Sequence, residues 1–323
     1  MVALTADAAT TVARLREGMA KGVLSFPLTS FTGERGEPGG AALDLPAFRD
    51  YLAAQIETGP GALFCACGTG EFFSLDEDEY RQVITASVQE ADGRLPVVAG
   101  IGYGWAQAAR FARIAEEAGA DAALVLPHYL VKAPQAGLVA QLRQIAARTR
   151  LPLIAYQRDQ VAFGIDSVRE LAGIPGVIGL KDGHSDLDRL QRLKLAAPED
   201  FLFFNGAATA EVQARQYASI GITAYSSAVH AFAPEIANAF FAAQRDGDDA
   251  AVERLLRGFF VPLVELRDRG TGYAVSLVKA AARLRGRPVG PVRAPLTDPG
   301  PDDLAALEEL LATGLDLVGA TTR

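Results

Sequence analysis

Gly176-Val177-Ile178-Gly179-Leu180-Lys181-Asp182-Gly183 is the stretch on which the reading of the whole chain turns. It predicts a short apolar strand with a lysine at its carboxyl end, just before a turn. Alternation along a strand puts Lys181, Gly179 and Val177 on one face and Leu180 and Ile178 on the other. An ammonium is seldom fully buried without a partner. Burial among apolar strands favours the neutral amine, which is a nucleophile for carbonyl carbon. Taken alone, a strand-end lysine reaching out to water is the plainer account. The rest of the chain shifts that balance.

Outward from this stretch the pattern repeats. Apolar strands are predicted at 23–28, 61–67, 96–101, 122–127, 151–156, 176–181, 201–205 and 221–226. Helical periodicity falls between them at 45–57, 77–91, 105–118, 136–148, 166–172, 185–196 and 209–219. Asp44 and Asp76 stand at N-cap positions, with Glu79 in capping-box register to Asp76. Gly59, Gly119 and Gly221 stand where helices should stop. Residues 7–20 predict a further helix striped by Val12, Leu15 and Met19, and Thr32–Gly40 a glycine-rich, mobile surface loop. Eight strands alternating with helices give the α/β class and the count of a (β/α)8 TIM barrel. A doubly wound sheet is the alternative, because periodicity does not decide closure.

After Ser227 strands cease. Helices are predicted at 233–245, 248–267 and 272–285, then at 302–314 beyond a Pro/Gly-rich connector. The expected division is a barrel with a short N-terminal helix over 1–231 and a C-terminal helical extension over 232–323, packed on the barrel or on a second subunit.

A chain of 323 residues, half of them hydrophobic, can bury one large core. Its net charge of -8 argues against nucleic acid or an anionic membrane as partner. An anionic substrate must therefore be held by local groups. The two cysteines, Cys65 and Cys67, lie i, i+2 on one strand; alternation puts them on one face, too close along the strand to pair readily. They are expected as buried free thiols suited to a reducing cytoplasm. Met1–Lys21 lacks the apolar core of a signal peptide, and no stretch is long and apolar enough to span a membrane.

In a barrel of this kind chemistry gathers at the carboxyl ends of the strands. Those ends read Cys67-Gly68-Thr69-Gly70-Glu71, Pro127-His128-Tyr129, Tyr156-Gln157-Arg158-Asp159, Lys181-Asp182, Asn205-Gly206 and Tyr225-Ser226-Ser227. Gly68-Thr69-Gly70 forms either an ordinary tight turn or a nest of N–H groups able to hold a carboxylate. Tyr156 is either a half-buried strand aromatic or, one strand from Lys181, a phenol that passes a proton to and from an amine that forms and loses an imine.

Gly-x-Thr-Gly-Glu after strand two, Tyr at the end of strand five and Gly-x-Lys-Asp at the end of strand six resemble the dihydrodipicolinate synthase/N-acetylneuraminate lyase superfamily, over about residues 20 to 285. The resemblance implies a Schiff-base lysine at Lys181, a proton-shuttling tyrosine at Tyr156, and an α-keto-acid carboxylate bound by Gly68, Thr69 and Gly70. In the synthase, a relay threonine occupies the position of Gly68, a glycine that of Cys67, and a substrate-binding arginine that of Val161. These departures turn the reading away from that synthase. Phe72-Phe73-Ser74-Leu75, Tyr156-x-Arg158-Asp159, Asn205-Gly206 with Thr209-Ala210-Glu211, and Tyr225-Ser226-Ser227-Ala228 resemble the 5-dehydro-4-deoxyglucarate dehydratase branch. Gln157 replaces that branch's usual Asn, and His128 also departs from it.

The branch implies a hydro-lyase of carbohydrate-acid degradation. It would convert 5-dehydro-4-deoxy-D-glucarate to 2,5-dioxopentanoate, water and CO2, with no cofactor and no metal. Arg158 is the expected fork for the distal carboxylate. Asn205 and Ser226 either hydrogen-bond hydroxyls of the keto-deoxy sugar diacid or are structural strand-end residues. A homo-oligomer, dimer or tetramer, is implied as well. Other readings stand beside this one. The same lysine could serve a class I retro-aldolase of another 2-keto-3-deoxy sugar acid. His128, His184 and His230 near three strand ends could hold a metal for a metal-dependent lyase. A non-catalytic barrel could bind a sugar acid. Gly100-x-Gly102-x-Gly104 lacks the full dinucleotide fingerprint and reads as a turn.

Overall fold

The computed structural model describes residues 6–33 and 42–321. Most of the predicted Thr32–Gly40 loop lies outside the described residues. Eight strands run in the order β1 (Leu24–Ser25), β2 (Ala62–Cys65), β3 (Val97–Ile101), β4 (Ala122–Val125), β5 (Leu153–Gln157), β6 (Val177–Asp182), β7 (Leu202–Asn205) and β8 (Ser226–Ser227). All neighbours pair parallel, in the order β7-β6-β5-β4-β3-β2-β1-β8. The seam between β7 and β8 is bridged at Asn205 and Tyr225, where the Asn205 N–H donates to the Ala224 carbonyl at 3.0 Å. The sheet thus curls into a nearly closed (β/α)8 barrel, and the doubly wound alternative falls because β8 returns to β1.

The helices that follow the strands start and stop for local reasons. Asp44 caps α2 (Leu45–Glu57) by accepting from the Ala47 N–H, and Asp76 with Glu79 forms the full capping box of α3 (Glu77–Ala91). Gly119, at φ 90°, ends α4 (Trp105–Ala118). All three helices have the bounds expected from sequence. Strand eight does not. It begins only at Ser226, because Ile222 leaves the wall and packs with Leu190 and Tyr217 in a small outer cluster.

The other helices of the barrel are α1 (Ala6–Lys21), ahead of β1, and α5 (Gln135–Ala146), α6 (Ile165–Ala172), α7 (Leu187–Ala196) and α8 (Ala214–Ser219); beyond the barrel lie α9 (Pro234–Asp246), α10 (Asp249–Leu255), α11 (Val261–Arg267), α12 (Tyr273–Leu284) and α13 (Pro301–Leu317). The single helix expected over 248–267 is divided by a π turn, Leu256–Phe260. Pro262 follows that turn and has no N–H to continue the α ladder. One buried cluster runs from Val12 through the barrel to Leu315, so the extension shares the barrel's core. Inside the barrel Phe64 stacks on Phe26 at 4.8 Å and meets Phe204 at 5.4 Å, flooring the cavity above. Leu277 and Val278 of α12 help to roof it.

Candidate active site

At the carboxyl end of the strands opens a cavity of about 650 Å³. Lys181 and Tyr156 meet there because of a register shift. Leu153 pairs with Val177, but the next residue, Ile154, pairs with Gly179, so one residue of β6 is bulged out. Without the bulge Tyr156 would lie level with Leu180, whose side chain points the other way. With it, Tyr156 and Lys181 are direct partners, and in a parallel sheet such partners share a face.

The lysine is only 5% exposed. Its Nζ lies 3.9 Å from the ring centroid of Phe26 and 4.5 Å from that of Tyr156. Among the described residues it has no carboxylate or hydrogen-bond partner. Burial in this aromatic cage therefore pushes its pKa down to about 7, with Cys67 opposing and the Arg158 cation assisting. The stem is held by the absence of a side chain opposite: a Cβ on Gly206 would stand 2.3 Å from the lysine Cε.

Tyr156 donates to the Gly206 carbonyl at 3.1 Å and receives a bond from Arg158 Nη1 at 3.3 Å. Burial raises its phenol above the ordinary value, and the guanidinium pulls the other way. Arg158 is half-buried on the cavity wall, its charge only loosely met by Asp159 at 3.9 Å.

Gly68 and Thr69 also line the cavity. Among the described residues the N–H groups of Gly68, Thr69 and Gly70 donate to no backbone carbonyl, and the turn is closed instead by Glu71 N–H to the Gly68 carbonyl at 3.1 Å. Gly70 itself is buried behind the turn, where its carbonyl accepts from Thr29 Oγ1 at 2.7 Å. Ser226 reaches the cavity and gives its hydroxyl to the Asn205 carbonyl. Asn205 does not reach it. Fully buried, it donates to the Ala210 carbonyl at 3.0 Å and accepts from the Ala207 N–H at 2.9 Å, so both polar ends hold the turn after β7.

Sequence reasoning missed the groups that brace these residues. Asp182 accepts from Gln157 Nε2 at 2.6 Å, from the Ser185 N–H at 3.1 Å and from the Tyr217 hydroxyl. Gln157 also accepts from the Phe163 N–H, so it ties β5 to β6 behind the cavity. Glu71 is fully buried with Lys279 of α12, Nζ to Oε1 2.7 Å, and its other oxygen accepts from the Arg293 N–H. The glutamate was visible beside the turn; nothing in sequence joined it to a lysine 208 residues later.

The two thiols are buried and free, but not on one face. Ala66 between them is left-handed at φ 48°, so alternation ends. Cys65 turns to Ser87 of α3, while Cys67 lines the cavity near Lys181. Burial pushes both up to about 12. The three histidines do not converge. His128 bonds the Val131 carbonyl, His184 the Val161 carbonyl at 2.8 Å, and His230 the hydroxyls of Ser25 and Thr58. No group of three or more His, Cys, Asp or Glu placed to hold a metal occurs among the described residues.

Comparison with known proteins gives the chain a family and relatives. The model of the Dihydrodipicolinate synthetase family matches residues 19–313. A protein of Streptomyces avermitilis named "Probable 5-dehydro-4-deoxyglucarate dehydratase 2" is 73% identical, over 97% of this chain and 92% of its own. Its namesake in Streptomyces coelicolor is 72% identical, over 97% and 95%. Among solved structures, dihydrodipicolinate synthase from Oceanobacillus iheyensis superposes with a TM-score of 0.82 at 26% identity, covering 93% of this chain and 98% of that one.

Proposed function

The chain belongs to the dihydrodipicolinate synthetase family, and on that premise we propose that it is a lyase converting 5-dehydro-4-deoxy-D-glucarate to 2,5-dioxopentanoate, water and CO2. The observation that carries the reading is the buried, unpaired amine of Lys181 set level with the phenol of Tyr156. The relatives' names supply the substrate.

Neutral Lys181 attacks the C5 ketone, and loss of water gives an iminium. The proximal carboxylate lies on the free amides around Thr69. The iminium makes the C4 hydrogens acidic, and Tyr156 relays the proton removed, its phenolate favoured by Arg158. The enamine expels the C3 hydroxyl as water. The resulting conjugated iminium accepts the electron pair released when the C1 carboxylate departs as CO2. Reprotonation and hydrolysis free the lysine and the product. Arg158 orients the distal carboxylate, Ser226 faces the hydroxyls, and Asn205 and Gly70 act through the turns they hold.

Borohydride reduction during turnover, with peptide mapping and a parallel CO2 assay, tests the reading. An adduct on Lys181 together with CO2 is expected. An adduct with pyruvate in place of CO2 would make the enzyme a retro-aldolase, and no adduct would remove the Schiff base altogether.

We also infer a cytoplasmic homo-oligomer, dimer or tetramer. Buried free thiols support the compartment. Exposed Trp105, Tyr129 and Val131 around a second hollow support an interface. No helix among the described residues is long and apolar enough to cross a membrane.

A further inference from the structure

The scheme above leaves one proton unassigned. A hydroxyl on C3 leaves poorly as hydroxide, and its departure calls for an acid. Tyr156 is engaged at C4, and Ser226 gives its hydroxyl proton to the Asn205 carbonyl. Arg158 holds its proton too tightly, and Asp159 is largely exposed and turned toward Arg158. A histidine ring nitrogen can both hold and release a proton, and His128 is the histidine on the cavity wall.

The ring is held in a defined state. His128 Nε2 lies 2.5 Å from the Val131 carbonyl, which can only accept, so Nε2 carries a hydrogen in either charge state. Nδ1 has no hydrogen-bond partner among the described residues. It is bare in the neutral ring and a donor in the imidazolium. Leu130, left-handed at φ 58°, makes the turn that returns the Val131 carbonyl to the ring. The backbone is fixed as well: Gln160 Nε2 donates to the His128 carbonyl and clamps the loop after β4 to the loop after β5, which carries Arg158.

We propose that His128 is the general acid for the dehydration step, giving its Nδ1 proton to the departing C3 hydroxyl. The inference rests on the Schiff-base reading above. In the step, the enamine nitrogen's pair re-forms the iminium and the C4–C5 pair shifts to C3–C4. The C3–O bond breaks onto oxygen, and the Nδ1 proton completes water. The imidazole is left neutral and recovers its proton from solvent.

The test is H128Q, whose amide can still donate to Val131 but has no proton to release. In wild type and variant three things are measured: the borohydride adduct on Lys181, deuterium exchange at C4, and CO2 release. The variant should keep adduct and exchange within about twofold, while CO2 release falls about 100- to 1000-fold. The analogue with fluoride replacing the C3 hydroxyl needs no proton to leave, so wild type and H128Q should process it equally. CO2 release within about threefold of wild type would overturn the proposal. So would a parallel fall in all three measures, which marks a merely structural residue. A wild-type enzyme without an adduct would instead remove the reading beneath it.

Discussion

Replacing Lys181 with methionine should abolish activity and make the protein more stable. The side chain is enclosed by aromatic rings with no anion beside it among the described residues, and its pKa falls from 10.5 to about 7. At about 1.36 kcal/mol per unit, holding the ammonium there costs on the order of 5 kcal/mol. Methionine keeps the unbranched stem but forfeits the cation–ring contacts with Phe26 and Tyr156, so a net gain on the order of 3 kcal/mol is expected at pH 6. The pH dependence has a fixed sign. Between about pH 7 and 10.5 the unfolded chain binds a proton that the native lysine does not, so wild-type stability rises with pH in that window relative to the variant. Below pH 7 both states are protonated and the full penalty stands; above 10.5 it is gone. Urea unfolding of both proteins at pH 6, 8 and 9.5 reads the difference directly, and other titrating groups cancel because the two chains share them. A K181M protein less stable than wild type at pH 6, or a gap that does not close as pH rises, would refute the reasoning.

Two further outcomes follow from the groups that brace the site. Lys279→Met leaves the Glu71 carboxylate buried without its cation and should cost about 3–5 kcal/mol in a denaturant melt. The loosened turn should raise KM for the keto acid more than it lowers kcat, and adding Glu71→Gln should restore most of the stability. Gly206→Ala puts a Cβ within 2.3 Å of the Lys181 Cε and 2.5 Å of its Cγ. Displacing the amine by about 1 Å should reduce kcat about 100-fold, with a matching loss of borohydride adduct.

What could be read from the chain divides along physical lines. Helices with local caps, such as those begun by Asp44 and Asp76, appear with their expected limits because a cap is an interaction within four residues. The place of Lys181, Arg158 and Ser226 on the cavity wall was also legible, since a barrel rim gathers the side chains at its strand ends. The bulge that brings Tyr156 level with Lys181 was not, because register belongs to two strands at once. A polar residue at a strand end likewise does not declare its direction: Ser226 opens to the cavity, while Asn205 is consumed by its own turn. Ala66 keeps the two thiols off a shared face by a single backbone angle that alanine rarely adopts.

The bond between Glu71 and Lys279 has a consequence for the order in which the protein can come into being. The glutamate leaves the ribosome 208 residues ahead of the lysine that neutralises it. At about 5–20 residues per second, that interval is on the order of 10–40 s. For all of it the nascent chain lacks the cation with which Glu71 is buried in the finished fold, so the turn after β2 is without that brace until α12 has been made and docked. Bracing of this part of the cavity rim is thereby deferred until late in translation, and a chain released before Lys279 would carry Lys181 and Tyr156 but not the braced turn.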